Sequence, residues 1–234
     1  DLDTGERIFY HENNEQWKVG WYSKLIHKIN SRNRIDFGIS LENYNIHYVD
    51  STLDTWSSEG GKYIKQLDVD NNSLLLSQAY TQWQHRFSNE LTLYTGLHFQ
   101  HFSLNNSWAI EPRSNLEWSF KENQAISFGY GYHSQLPPFF LYFVRTHPDN
   151  QNYIQTNKDL DFSKSNQFVL SYDRSFNPNL RMKAEAYYQH QHDIPVEEKE
   201  SYFSLANYGA SFHQNRMDSL VNEGLSRNYG IEFT

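Results

Sequence analysis

Apolar and polar residues alternate along much of this chain with a period of two, the pattern of strands that have one apolar and one polar face. The clearest run is Arg34 to Leu41. Ile35, Phe37, Ile39 and Leu41 point one way, and Arg34, Asp36, Gly38 and Ser40 point the other, with Glu42 continuing the polar row. In 91–100, Leu91, Leu93, Leu97 and Phe99 oppose Thr92, Tyr94, His98 and Gln100. In 109–120, Ile110, Leu116, Trp118 and Phe120 oppose Glu111, Arg113, Asn115 and Glu117, and in 124–133 Ile126, Phe128, Tyr130 and Tyr132 oppose Ser127, Gly129, Gly131 and His133. The same alternation, less cleanly, predicts strands over 17–29, 74–87, 164–176, 180–192 and from about 226, in addition to 34–49. That gives about nine strands. Most exceed the ~5–6 residues usual in soluble sheets and suit the ~9–11 residues of a tilted strand crossing a bilayer.

The connections alternate too. Asn30–Asn33, Ser88–Glu90, Lys121–Asn123 and Asn177–Asn179 are short and rich in turn formers. Between them lie a link near Asn105–Ser107 and three long polar segments: Asp50–Asn72, Gln135–Ser163 and Asp193–Leu225. Short turns at one end and long loops at the other are the asymmetry of outer-membrane barrels, with turns in the periplasm and loops outside. The predicted fold class is therefore all-β: an antiparallel transmembrane β-barrel segment, about nine strands of a larger wall, in the outer membrane of a Gram-negative cell. A soluble all-β domain, such as a carbohydrate-binding module, is the competing reading.

Composition fits this picture. Only 38% of the 234 residues are hydrophobic, yet 17% are aromatic, as expected where one strand face meets lipid and the other a wet lumen. Mean hydropathy is -0.81, and no run of ~18 apolar residues marks a transmembrane helix. The absence of cysteine removes zinc-ribbon, disulfide and thiol-redox readings. A formal net charge of -8 argues against nucleic acid as a partner.

Four stretches carry a family likeness. They are Ala79–Phe87 with Leu91–His98, then Ile110-Glu111-Pro112-Arg113, then Gly129–Gln135 followed after a loop by Ser165–Phe168, and last Leu220–Gly224 with Asn228–Phe233. In order and spacing they resemble the barrel domain of TonB-dependent outer-membrane receptors, especially the Bacteroidetes type. His98 stands where such receptors more often have Arg. The resemblance implies active uptake: a scarce small ligand binds at the outer face, and a TonB complex draws on the receptor's plug. It also implies a barrel of about 22 strands. The chain's two ends read as cuts, so the plug domain, the TonB-contacting N-terminal part and the closing strands are expected outside it. Expected partners are outer-membrane lipid, the protein's own plug domain, TonB and an unknown small ligand. A passive outer-membrane channel is the alternative within the same fold.

No enzyme, cofactor or metal is assigned. Gln189-His190-Gln191-His192-Asp193 places two histidines on one strand face, a weak metal pattern beside a polar loop base. Asp68–Asn72 and Asp149–Asn152 resemble calcium-binding runs but lack the EF-hand spacing, so solvated loop is the expectation. Glu111 and Arg113 share a face; they either contact a polar ligand or form an ion pair that holds the wall or plug. The apolar run 136–144 opens the second long segment as an aromatic lid over a ligand, a contact for a surface lipoprotein, or a loop that buries its own side chains in the barrel mouth. Trp17, Trp21, Trp118, Tyr130 and Tyr132 point outward by phase and read as an interfacial aromatic girdle. The candidate ligand-facing residues are Glu42, Tyr80, His98, Gln100, Glu111, Arg113, His133, Phe139 and Phe140.

Overall fold

The computed structural model describes residues 9–54, 62–146, 152–208 and 217–234. Among these, nine strands form one antiparallel sheet in simple chain order. They are β1 (Tyr10–Lys28), β2 (Asn33–Asp54), β3 (Lys62–Arg86), β4 (Leu91–Phe102), β5 (Ser107–Lys121), β6 (Gln124–Gln135), β7 (Ser163–Asn177), β8 (Leu180–Glu197) and β9 (Leu220–Phe233). Each strand pairs with its sequence neighbours, so the sheet is an up-and-down meander.

The short turns are closed by the side chains that predicted them. Asn30 Oδ1 accepts hydrogen bonds from the Arg32 and Asn33 amides at 2.9 and 2.8 Å. Ser88 Oγ accepts from the Glu90 and Leu91 amides, both at 3.1 Å. Asn177 Oδ1 accepts from the Asn179 amide at 2.9 Å. These local bonds mimic a backbone turn and set the register of the hairpins they join.

The long segments depart from the sequence expectation. Most of Asp50–Asn72 is not loop: β2 runs on to Asp54 and β3 begins at Lys62, which makes a tall hairpin. Likewise β8 reaches Glu197 and β9 begins at Leu220, shortening the third long segment. Alternation failed there for a local reason. Between the pairs Ile46↔Asn72 and Tyr48↔Val69, β3 carries one more residue than β2. Such a bulge shifts the facing by one residue. Below it the even positions Leu74 and Leu76 are buried; above it the odd positions Leu67 and Val69 are buried, on the same face.

That face, here called the inner face, carries the core. Ile46, Leu67, Leu74 and Phe102 lie at its far end from the short turns and are almost fully buried. They are covered by the segment after β6, in which Phe139–Phe143 form a single 3-10 turn with Leu141 and Tyr142 buried. Phe102 stacks on Phe139 with ring centroids 5.6 Å apart and tilts against Tyr142 at 5.5 Å. Pro137 and Pro138 keep this run out of the ladder, and its aromatic side chains find apolar surface on the inner face instead. Asn157, itself buried, latches the arrangement. It donates to the carbonyls of Leu141 (3.1 Å) and Met217 (2.8 Å) and accepts from the Leu220 amide (2.9 Å).

The opposite, outer face stays open. Trp21, Leu25, Phe37, Leu97, Phe128, Leu170 and Ile231 are all exposed. A contiguous apolar face of this extent marks contact with lipid or protein.

Candidate functional site

Strand register gathers most of the candidate residues on the inner face. Gly38 lies opposite Tyr80, Tyr80 opposite His98, and His98 opposite Glu111. The Tyr80 ring crosses directly over Gly38, where a Cβ would sit 2.2 Å from a ring carbon, so any larger residue here would have to displace that ring. The Tyr80 hydroxyl then meets that of Tyr22 at 2.9 Å. Beside them, buried Asp36 takes Arg34 at 2.7 Å and Lys24 at 3.2 Å. Together with Tyr94, His98, Arg113 and His133 these strands line a concavity of about 790 Å³ on the inner face.

Glu111 is the hub of this wall. Only 1% of it is exposed, and both oxygens are occupied. Oε2 contacts His98 Nδ1 at 3.0 Å and the Arg113 guanidinium. Oε1 accepts from Gln100 Nε2 at 2.6 Å and from the Ser134 amide at 2.8 Å. Gln100 Nε2 also donates to the Ser134 carbonyl at 3.0 Å. The Ser134 contacts stand in for missing main-chain pairing, since the β5–β6 ladder ends at Arg113↔Gly131. Beyond it β5 still pairs with β4 up to Ser107, and β6 with β7 up to Gln135. Two side chains therefore splice the sheet where its backbone bonds stop.

Of the nine candidates, Glu111, Gln100 and Phe140 are buried by protein in this structure and present no free surface to a ligand. Tyr80, His98, Arg113 and His133 line the open concavity. Glu42 lies apart from them, with Lys18 Nζ at 2.9 Å and the Tyr44 hydroxyl at 2.6 Å. Tyr44 links it to Phe139, whose ring it meets edge-on at 4.8 Å. The 136–144 run takes the self-burying form rather than a free aromatic lid, and Phe139 is only partly buried against the core.

Tyr22, Lys24 and Asp36 were not among the sequence candidates, although strand phase puts them on the same face. Asn157 had no sequence signal: nothing local marks an asparagine whose partners lie on two other segments. His190 and His192 stack at 6.1 Å on the outer face near Tyr132. Among the described residues no group of three potential ligands converges. Asp68 is engaged by Lys65 and Arg145, and Asp70 by His47, within β3 and not in a calcium loop. Asp149–Gln151 lie outside the described residues.

Outside the strands, desolvation raises the Tyr142 phenol well above its ordinary value. Tyr48 donates to Gln16 Oε1 at 2.7 Å, whereas the Tyr142 hydroxyl has no hydrogen-bond partner among the described residues.

A meander of long antiparallel strands, apolar outside and polar inside, with tight turns at one end, defines the wall of an outer-membrane barrel. Residues 2–234 match the family model described as TonB dependent receptor-like, beta-barrel, and the chain belongs to that family. It lies in the outer membrane of a Gram-negative bacterium. Among solved structures it is similar to the siderophore receptor PirA of Pseudomonas aeruginosa, with 12% identity, a TM-score of 0.64, and coverage of 95% of this chain and 39% of that one. The FrpB iron transporter of Neisseria meningitidis matches with 13% identity and a TM-score of 0.64 over 94% of this chain and 33% of its own. The copper transporter OprC matches with 11% identity and a TM-score of 0.64 over 95% and 35%. At these identities the likeness is one of fold. The chain spans roughly a third to two-fifths of each solved relative. No curated protein matches it in sequence.

Proposed function

We propose that the protein is an active-transport receptor that captures a scarce extracellular small ligand and imports it with TonB-derived energy. Membership of the TonB-dependent receptor family carries this reading. In it, the plug domain and the closing strands belong to the rest of the protein, and TonB engages that part rather than this one. The residues described here supply wall and outer loops. The motif set of the four family-like stretches favours the Bacteroidetes branch.

The inner-face concavity of Tyr80, His98, Arg113 and His133 is the part of this wall offered to the plug or to a passing ligand. Glu111 and Gln100 hold it in shape, and residues 136–146 with 152–162 roof its outer end. Siderophores, iron and copper are named for the structural relatives, and a chelated metal is the first class to try here.

The deciding experiment is growth and radiolabelled uptake in a strain lacking this gene, on limiting metal chelates and other scarce nutrients. Uptake should return with the intact gene and stop when a protonophore collapses the proton gradient. Uptake that persists under the protonophore would identify a passive channel instead.

A further inference from the structure

Residues 136–140 cover a second cavity of the inner face, about 540 Å³ in volume, at the end of the strands away from the short turns. Gln16 on β1, Tyr44 and Tyr48 on β2, Gln135 at the end of β6, and Pro138 and Phe139 line it. Among the described residues its lining carries no carboxylate, ammonium, guanidinium or imidazole. The larger concavity toward the short turns differs, since Lys24, Asp36 and Arg113 all face it. Lys18, beside the Tyr44 ring, is matched by Glu42 at 2.9 Å. The polar groups of the second cavity are neutral. The Tyr48 hydroxyl donates to Gln16 Oε1 at 2.7 Å, which fixes that amide and leaves its N–H donors unspent among the described residues. Gln135 is exposed, and its amide has no hydrogen-bond partner among the described residues. The rings of Tyr44 and Phe139, both partly buried, meet at 76° with centroids 4.8 Å apart.

We propose that this cavity binds one unit of an uncharged saccharide, its C–H face against Tyr44 and Phe139 and its hydroxyls on Gln16 and Gln135. The assignment rests on the import reading above and narrows its ligand class. Three observations support it. Aromatic walls with a few placed polar groups are the usual make-up of a small-ligand site. A ring face carries negative charge density and attracts polarised C–H groups. A carboxamide both donates and accepts, as a hydroxyl does, so each amide can serve a sugar hydroxyl without burying a charge. A charged chelate or an acidic sugar would leave water and find no opposite charge in the lining. A peptide would call for an open strand edge, yet β2, β3 and β4 behind the cavity are paired on both sides.

The test screens the full-length receptor, in mild detergent, on an array of neutral oligosaccharides, uronic-acid oligosaccharides and uncharged peptides. Ferric citrate, an anionic chelate, is offered as a competitor. The receptor should bind neutral oligosaccharides, and ferric citrate should not displace them. Calorimetry with the best neutral oligosaccharide should then show about tenfold weaker binding for Phe139→Ala and about fivefold for Gln135→Ala. Gln189→Ala removes an inner-face amide on β8, outside the cavity, and should bind as the wild type does. Heat-modifiable gel mobility shows that each variant is folded, and Gln135→Ala, an exposed side chain, keeps the test open where Phe139→Ala misfolds. No neutral oligosaccharide bound, a preference for the acidic sugars or the peptides, displacement by ferric citrate, or unchanged affinity in the Gln135 variant overturns the proposal. Binding measured this way needs no proton gradient, so the import reading fails separately. A labelled saccharide that binds the cavity yet still enters cells under a protonophore would refute import and leave the cavity's assignment standing.

Discussion

Glu111 shows how much one buried carboxylate organises here. It accepts from a side-chain amide and a backbone amide and pairs with Arg113 and His98. Truncation to Ala leaves the Gln100 amide and the Ser134 N–H without their acceptor, while half-exposed Arg113 turns to water. The expected cost is about 2–3 kcal/mol, seen as a lower denaturation midpoint in detergent together with faster hydrogen exchange at the Ser134 amide. Unchanged exchange there would remove Glu111 from the splice. Tyr142 predicts the opposite sign. Its hydroxyl is buried without a partner among the described residues, so Tyr142→Phe should stabilise the protein by roughly 1 kcal/mol. A destabilised Phe variant would mean that the hydroxyl has a partner in solution.

At the scale of elements, the described residues between β6 and β7 are held by aromatic stacking on Phe102 and by the Asn157 latch. Asn157→Ala removes three hydrogen bonds joining two loops. The exposed Lys158 beside it should become a faster trypsin site in the folded receptor, by about tenfold for each 1.4 kcal/mol of latch lost. A cleavage rate equal to wild type would show that packing alone holds the segment. Alkali should release it as well. The phenol of Tyr142 is raised in the folded protein above the ordinary 10.0. A raised folded value means stability that is fully present below pH 10.0 and lost as pH climbs beyond it. Near-ultraviolet circular dichroism should record that loss, and Tyr142→Phe should reduce it.

For the whole molecule, the two ends of the sheet decide behaviour. Among the described residues β1 pairs only with β2, and β9 only with β8. Both edges offer unpaired backbone groups, and the outer face offers Trp21, Leu25 and Ile231 to solvent. Residues 1–234 expressed alone should aggregate in buffer and disperse only in detergent. A sharp detergent-free monomer peak in size-exclusion chromatography would contradict this and revive a soluble all-β reading.

Strand number, turn positions and the polar-in, apolar-out facing were legible in the sequence, because side chains alternate strictly across a strand and Asn and Ser close their own turns. Tyr80, His98, Glu111 and Arg113 could be placed on one face for that reason alone. Period-2 reading lost the chain at 67–72, where a bulge exchanges the faces, and so mistook two extended strands for a loop. The burial of Gln100, Glu111 and Phe140, the choice of the self-burying form for 136–144, the Asn157 latch and the β5–β6 seam were decided only in three dimensions. Each depends on residues from different strands or loops meeting through register and packing, and alternation within one strand carries no information about that meeting.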